Sequence, residues 1–158
     1  MKPELITDWA EHDRGVRQVL LRAGRAIRVF DADLARLRLE TPEINLFLRR
    51  FLAAARINTL EILLRNADPF RNASPRLFKL LADFPQTVHV WECAPRITPL
   101  TDAMLITDGC HALIRIHEDH ARSRLILDDP AACRPYLMRF DEILAEGVTP
   151  ISATTLGL

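Results

Sequence analysis

Residues 109–127 read "GCHALIRIHEDHARSRLIL" and hold three of the chain's five histidines. His117, Glu118, Asp119 and His120 stand almost side by side. Imidazoles and carboxylates this close are the raw material of a zinc site or an acid–base pair. Zinc, however, takes three or four ligands in a defined geometry. No HxxxH helix and no CxxC pair supports such a set here. His117 ends an apolar alternation, and residues 118–121, "EDHA", have turn chemistry. The cluster reads as the solvated tip of a hairpin, with no metal. His111, Arg115 and His117 share strand parity with Leu113, so their face is mixed, and Arg115 reads as a surface arginine. His89 alternates with Val88 and Val90 on the side of Trp91, as a partly buried structural histidine.

A second set is made of aspartates. Asp31 and Asp33 in "VFDADL" end a strand-like run, and Asp128 and Asp129 follow in "LDDP". This pattern resembles the haloacid-dehalogenase-type phosphatases, in which one aspartate attacks phosphorus, the next acts as acid, and carboxylates hold magnesium. The chain departs from that pattern at Ala35 and Arg36. Lys79 also lacks a matched Ser/Thr motif, and Asp129 suits a helix cap equally well.

The elements that would position these residues follow from periodicity. Asp8 with Glu11 gives a capping pattern, and Val16, Val19, Leu20 and Ala23 make one helix face that Gly24 is placed to end. "AIRVFDADL" is a strand. Thr41, Pro42 and Glu43 open the clearest helix, whose stripe is Ile44, Phe47, Leu48, Phe51, Leu52 and Ala55. "TLEILLR" is a buried strand and "NADPFRNAS" a loop. Ser74 and Pro75 open another helix with Leu77, Leu80, Leu81 and Phe84 inward. "QTVHVWEC" is a strand. Three short strands, "AMLITD", "ALIRIH" and "SRLILD", then come in quick succession, the first pair joined by the turn at Asp108 and Gly109. Asp129 and Pro130 start a last helix with Cys133, Leu137, Phe140 and Leu144 as its seam. Pro135 should kink or restart it. The tail "GVTPISATTLGL" is apolar enough to dock as an extended segment. Alternation in the first half implies parallel strands with crossover helices, and the hairpins add antiparallel ones. The expectation is α/β: a single domain of residues 1–158 with a mixed β-sheet and helices packed on it. Residues 1–25 form an N-terminal helix, and residues 26–158 form the core and tail.

Composition narrows the classes. The chain has 158 residues and zero formal net charge, which argues against a strongly basic nucleic-acid binder. The zero hides an asymmetry. Residues 1–80 carry 15 Lys/Arg and 10 Asp/Glu, while residues 81–158 carry 6 and 11. Two such halves could attract each other within the chain or between subunits. Arginine outnumbers lysine 19 to 2, which a G+C-rich genome explains as easily as phosphate binding does. No apolar run approaches the ~20 residues that span a bilayer. The polar start "MKPELITDWAEHD" does not read as a secretory signal. Cys93, Cys110 and Cys133 are odd in number and widely spaced, as expected of a reducing cytoplasm.

The segment "PLTDAMLITDGCHALIRI", then "LDDP", "RFDEIL" and an apolar tail, with "LEILLRNADPF" upstream, resembles the single-unit phospholipase-D-like domains. It is similar in particular to a family of uncharacterised bacterial proteins in which that unit is degenerate. The resemblance spans roughly residues 26–158 and implies a phospholipase-D-like half unit. The active family carries HxKxxxxD, whose histidine forms a covalent phospho-histidine while the lysine steadies the oxyanions. Laying Asp108 on that aspartate puts Thr101 on the histidine and Ala103 on the lysine. The resemblance thus implies the fold and argues against the activity. Thr101, Asp108 and Arg115 would line a vestigial cleft with no catalytic residue and no cofactor. Asp108 reads as the first residue of a hairpin turn. Active relatives pair two copies around the site, so the resemblance also implies a homodimer. The expected role is a non-catalytic binding or scaffold domain. A protein partner or self-association comes first, and a phosphate-bearing ligand or nucleic acid second. The alternative is a magnesium-dependent phosphatase using Asp31 and Asp33 with the 128–129 pair.

Overall fold

The computed structural model describes residues 3–153. Its elements in chain order are β1 (Glu4–Ile6), α1 (Trp9–Leu21), β2 (Ala26–Asp31), α2 (Pro42–Ala54), β3 (Thr59–Leu64), α3 (Asp68–Ala73), α4 (Pro75–Asp83), β4 (Val88–Cys93), β5 (Ala103–Thr107), β6 (His111–Arg115), β7 (Ser123–Ile126), α5 (Pro130–Ala145) and β8 (Val148–Ile151). All strands join one eight-stranded sheet in the order β1-β7-β6-β5-β2-β3-β4-β8. The β2, β3 and β4 strands are parallel, as the crossover helices between them require. The remaining pairings are antiparallel. The domain is therefore the mixed α/β sheet expected.

Alternation along each strand sends side chains to two cores. Ile27, Val29, Leu60, Ile62, Val88, Val90, Leu105 and Leu113 pack with Val16, Val19 and Leu20 of α1, Leu48 and Phe51 of α2 and Leu80 of α4. Phe30, Leu63, Met104, Ile106, Ala112, Ile114 and Ile126 pack with Cys133, Phe140 and Ile143 of α5 on the other face. Caps fix where the helices start. The Asp8 side chain accepts from Glu11 N, Thr41 from Ile44 N and Asp129 from Ala132 N.

Several local expectations are corrected. The cap of α1 is Arg22, and Gly24 lies beyond it in the turn before β2. Residues Asp68–Ala73, read as loop, form the short helix α3, because Phe70 is buried and Pro69 is tolerated in a first turn. Residues Glu4–Ile6, placed in the N-terminal helix of residues 1–25, form strand β1 instead, with Ile6 buried beside Gly15 of α1. Pro135 neither splits nor restarts α5, which runs unbroken from Pro130 to Ala145. Pro135 and Ala131 are both exposed, so the carbonyl of Ala131 that loses its amide partner faces water. Part of the tail docks as expected, as β8 along β4; residues 154–158 lie outside the described residues.

Candidate functional site

The order of β5, β2 and β3 decides what meets at one end of the sheet. The β2 strand runs up to Asp31, and β5 starts there at Ala103. Phe30 pairs with Met104, so one step further brings Asp31 level with Ala103. Ala103 pairs with Arg115 at the end of β6. Asp31, Ala103 and Arg115 therefore form one row across three neighbouring strands. Their side chains point to the α1 face, in step with Val29, Leu105 and Leu113.

The outer two members of this row lie two strand spacings apart, about 10 Å. An arginine can cross that gap only over a small residue, and Ala103 presents a single methyl. The Arg115 guanidinium reaches over β5 and puts Nη2 3.2 Å from Asp31 Oδ1. Both side chains are almost fully buried, 3% and 1% exposed. Asp31 also accepts from Ala32 N at 2.8 Å and Leu34 N at 3.1 Å, so it caps the loop of residues 32–40. Asp33 caps the same loop through Ala35 N.

From α1, His12 Nε2 lies 3.0 Å from Arg115 Nη1. Guanidinium nitrogen only donates, so Nε2 accepts and the ring proton sits on Nδ1. That Nδ1 is buried without a hydrogen-bond partner, as is Arg115 Nε; Asp13 Oδ1 is 3.7 Å from it, too far to bond. Burial and the Arg115 charge hold His12 neutral, with its pKa lowered to about 4. Burial also raises the pKa of Asp31, against the pull of Arg115, and lowers that of Arg115. Trp9 completes the wall, with Arg36 Cζ 4.0 Å and Arg115 Cζ 5.5 Å from its ring centre.

A second arginine closes the other side. Arg65, just past β3, lies over the Phe30 ring at 4.8 Å. It donates to Asp102 O at 2.6 Å and to Glu118 Oε2. Glu118 N in turn donates to Thr101 O at 2.7 Å. Arg139 of α5 clamps the Asp102 carboxylate with two bonds of 2.8 Å. Each cation at this end is thus engaged by an acid or a carbonyl of the same chain, with Arg36 held on Trp9.

The predicted residues divide between the two ends of the sheet. Thr101, Arg115, Asp31 and Asp33 gather at this one. Asp108 stands at the other, so it does not line one cleft with Thr101 and Arg115 as expected; its carboxylate accepts from Gly24, Arg25 and Ala26 N at 2.8–2.9 Å. It is the turn residue expected, with φ of +57° followed by +67° at Gly109, and it also ties β5 to the start of β2. Asp128 and Asp129 lie near it: Asp129 N bonds Cys110 O, and Asp128 N donates to His111 Nδ1. The phosphatase set of Asp31, Asp33, Asp128 and Asp129 is therefore overturned, because the length of β2 separates the two pairs. The expectation that Arg115 lies on the surface is also overturned. His117 and His120 contact each other at the exposed β6–β7 turn, with ring centres 4.9 Å apart. No group of three potential metal ligands occurs among the described residues. His89 stacks on Trp91 at 5.4 Å, as its parity suggested.

Trp9, His12, Arg65 and Asp102 were not singled out in the sequence. His12 carried a signal, since it lies four residues before Val16 on the apolar face of α1. Arg65 carried another, as the charge that ends a buried strand at the same edge as Asp31.

A family model described as "Domain of unknown function (DUF7931)" matches residues 9–151. Among solved structures, the chain is similar to TrmBL2, described as an archaeal chromatin protein with a novel mode of DNA binding (13% identity, TM-score 0.68). That match covers 96% of this chain and 55% of TrmBL2, so the chain spans about half of that protein. It is similar over 96% of its length to 99% of Nuc from Salmonella typhimurium, a phospholipase D family member (13% identity, TM-score 0.66). It also matches NucT from Helicobacter pylori (10% identity, TM-score 0.53), covering 95% of this chain and 99% of that one. No curated protein matches the chain.

Proposed function

Since the chain belongs to the DUF7931 family and has a phospholipase-D-like fold, we propose that it is a non-catalytic binding domain whose former reaction cleft is closed by its own ion pairs. The observation that carries this reading is the Arg115–Asp31 bridge over Ala103. A lysine at 103 would bring a third charge into that row, and the bridge would lose its path. Thr101, at the nucleophile position, is exposed and has no imidazole or carboxylate bonded to its hydroxyl. The partner is a protein or a second copy of this chain, acting in a reducing cytoplasm. That setting suits Cys93 and Cys133, whose buried thiols are pushed up to about 11 and are poor nucleophiles. No helix among the described residues is long and apolar enough to cross a membrane.

The test is turnover of bis(p-nitrophenyl) phosphate and of labelled DNA and RNA. The expected result is no hydrolysis above buffer. Hydrolysis that disappears in Thr101→Ala would overturn the reading. Light scattering tests self-association; a mass near 18 kDa at every concentration removes the homodimer. A second reading, nucleic-acid binding without cleavage, is favoured by the fold shared with TrmBL2. It requires polarisation-detected binding whose affinity falls steeply with salt, through counterion release.

A further inference from the structure

If the cleft is closed, binding must use an outer surface, and one surface differs from the rest. The α1 and α2 helices lie together over the sheet, joined by the Arg17–Glu43 ion pair, with Arg17 Nη2 2.9 Å from Glu43 Oε2. Their inner faces are core. Their outer faces carry large apolar side chains in water: Leu21 is 61% exposed, Leu46 48%, and Ile57, in the loop after α2, 59%. On α2, Leu46, Arg50 and Ala53 fall at i, i+4 and i+7, one side of a helix. On α1, Arg14, Gln18 and Leu21 do the same.

The arginines here are also unusual. Across most of the molecule arginine is paired, as in Arg28–Glu61, Arg38–Asp13, Arg49–Asp83 and Arg76–Glu40. Arg14, Arg25, Arg50 and Arg56 are exposed, and their side chains have no partner among the described residues. Arg25 and Arg56 come together because their loops precede the adjacent strands β2 and β3, where Thr59 N bonds Arg25 O at 3.0 Å. Two acids share these outer faces: Glu43, already spent on Arg17, and Glu11, one turn before Arg14 on α1, so the cations of α2 and the following loop, Arg50 and Arg56, carry the surplus.

We infer that the outer face of α1 and α2 docks an acidic protein segment that also presents apolar side chains, such as an amphipathic helix rich in Glu and Leu. This rests on the closed-cleft reading only for its motive; the surface itself is separate. Unpaired cations demand an anionic partner. Three exposed aliphatic side chains gain nothing from a phosphodiester backbone, so nucleic acid fits poorly. Arg50 lies between Leu46 of α2 and Ile57 of the following loop, and Ala53 and Ala54 between them are small and exposed. That interleaving suits a partner helix, which can alternate acid and apolar residues in step. A lipid surface would instead favour cations at the rim of an apolar centre.

The experiment titrates the intact chain into three fluorescent probes at 150 mM salt. These are a designed Glu/Leu amphipathic helical peptide, a single-stranded DNA of equal charge, and phosphatidylglycerol vesicles. The peptide is expected to bind at least tenfold more tightly than the other two. Arg50→Glu and Ile57→Ser should each weaken it by fivefold or more, while Met138→Ser on α5 leaves it unchanged. Both positions are exposed, so circular dichroism should show the fold intact. Equal binding to DNA or vesicles, no peptide binding, or indifference to Arg50→Glu and Ile57→Ser would overturn the inference. Phosphodiester turnover would remove the closed cleft and leave this surface standing, so the two failures are distinguishable.

Discussion

At the scale of single residues, the molecule's tightest dependence is on Arg115. Burying an ion pair is a near balance between lost hydration and mutual attraction, but leaving one partner alone is costly. Arg115→Met should therefore destabilise the fold by about 3–5 kcal/mol, and Arg115→Met with Asp31→Asn should recover most of that loss. Chemical denaturation of the single and double variants measures it; equal losses in both would mean that the pair is not a unit. His12 makes a second prediction. Its folded pKa of about 4 lies below the ordinary 6.5, so the unfolded chain takes up the proton first as pH falls. Stability is full above pH 6.5 and declines as pH drops toward 4. From pH 7 to pH 5 the loss should be about 2 kcal/mol, and His12→Gln should flatten it. Asp31, whose pKa is raised by burial, works in the opposite direction. A change in stability from pH 7 to 5 that is the same in wild type and in His12→Gln would refute the His12 assignment.

At the scale of elements, the β5–β6 hairpin is held as much by its turn as by its strands. Asp108 and Gly109 both lie at positive φ, and the Asp108 carboxylate gathers three backbone amides at the entry to β2. Asp108→Ala should cost about 2 kcal/mol, since charge-assisted bonds are lost at a partly wet site. Gly109→Ala should cost roughly 1–2 kcal/mol from its left-handed backbone, with a new Cβ only 3.3 Å from Leu137 Cδ1. Thermal unfolding reads both. This hairpin was legible in sequence because turn chemistry is local: Asp-Gly between alternating apolar runs says what it is. The helices with a capped start and a clean stripe were legible for the same reason. The strand Glu4–Ile6 was not, since three residues carry no period and β1 exists only because β7 offers an edge. Pro135 does not restart α5, because its cost depends on whether the orphaned carbonyl can reach water, which is a property of the folded surface.

At the scale of the whole molecule, topology decides what the site contains. The sequence placed Asp31 and Asp128 in one imagined centre because both follow strands and both are acids. Strand direction sends them to opposite ends. Conversely, nothing in the spacing of His12, Asp31 and Arg115 hints that they touch, because the contact is made by an order of strands that brings β6, β5 and β2 together. The resemblance to phospholipase-D-like domains implied a mixed sheet without its strand order, and the fold is similar to that of Nuc. The charge asymmetry along the chain does not divide between the helices of the two sheet faces. The helices α1 to α4 lie over one face, and α5, whose Arg134 and Arg139 balance Asp141 and Glu142, lies on the other. The molecule should still be steered to an acidic partner by the exposed arginines of its α1 and α2 face. Its association rate with an acidic partner should fall as salt rises, more than its dissociation rate changes, and stopped-flow measurements at two ionic strengths would show which rate moves.

The methyl of Ala103 has a consequence for variation. Because Arg115 reaches Asp31 only over that side chain, the three positions are not free to vary one at a time. A lysine at 103 would put a second cation beside the buried guanidinium and compete with it for Asp31. Lysine at 103 is therefore accommodated only with the loss of Arg115, because either single step leaves a surplus or an unpaired buried charge. The bridge thus couples the three positions, so that each limits what the others can become.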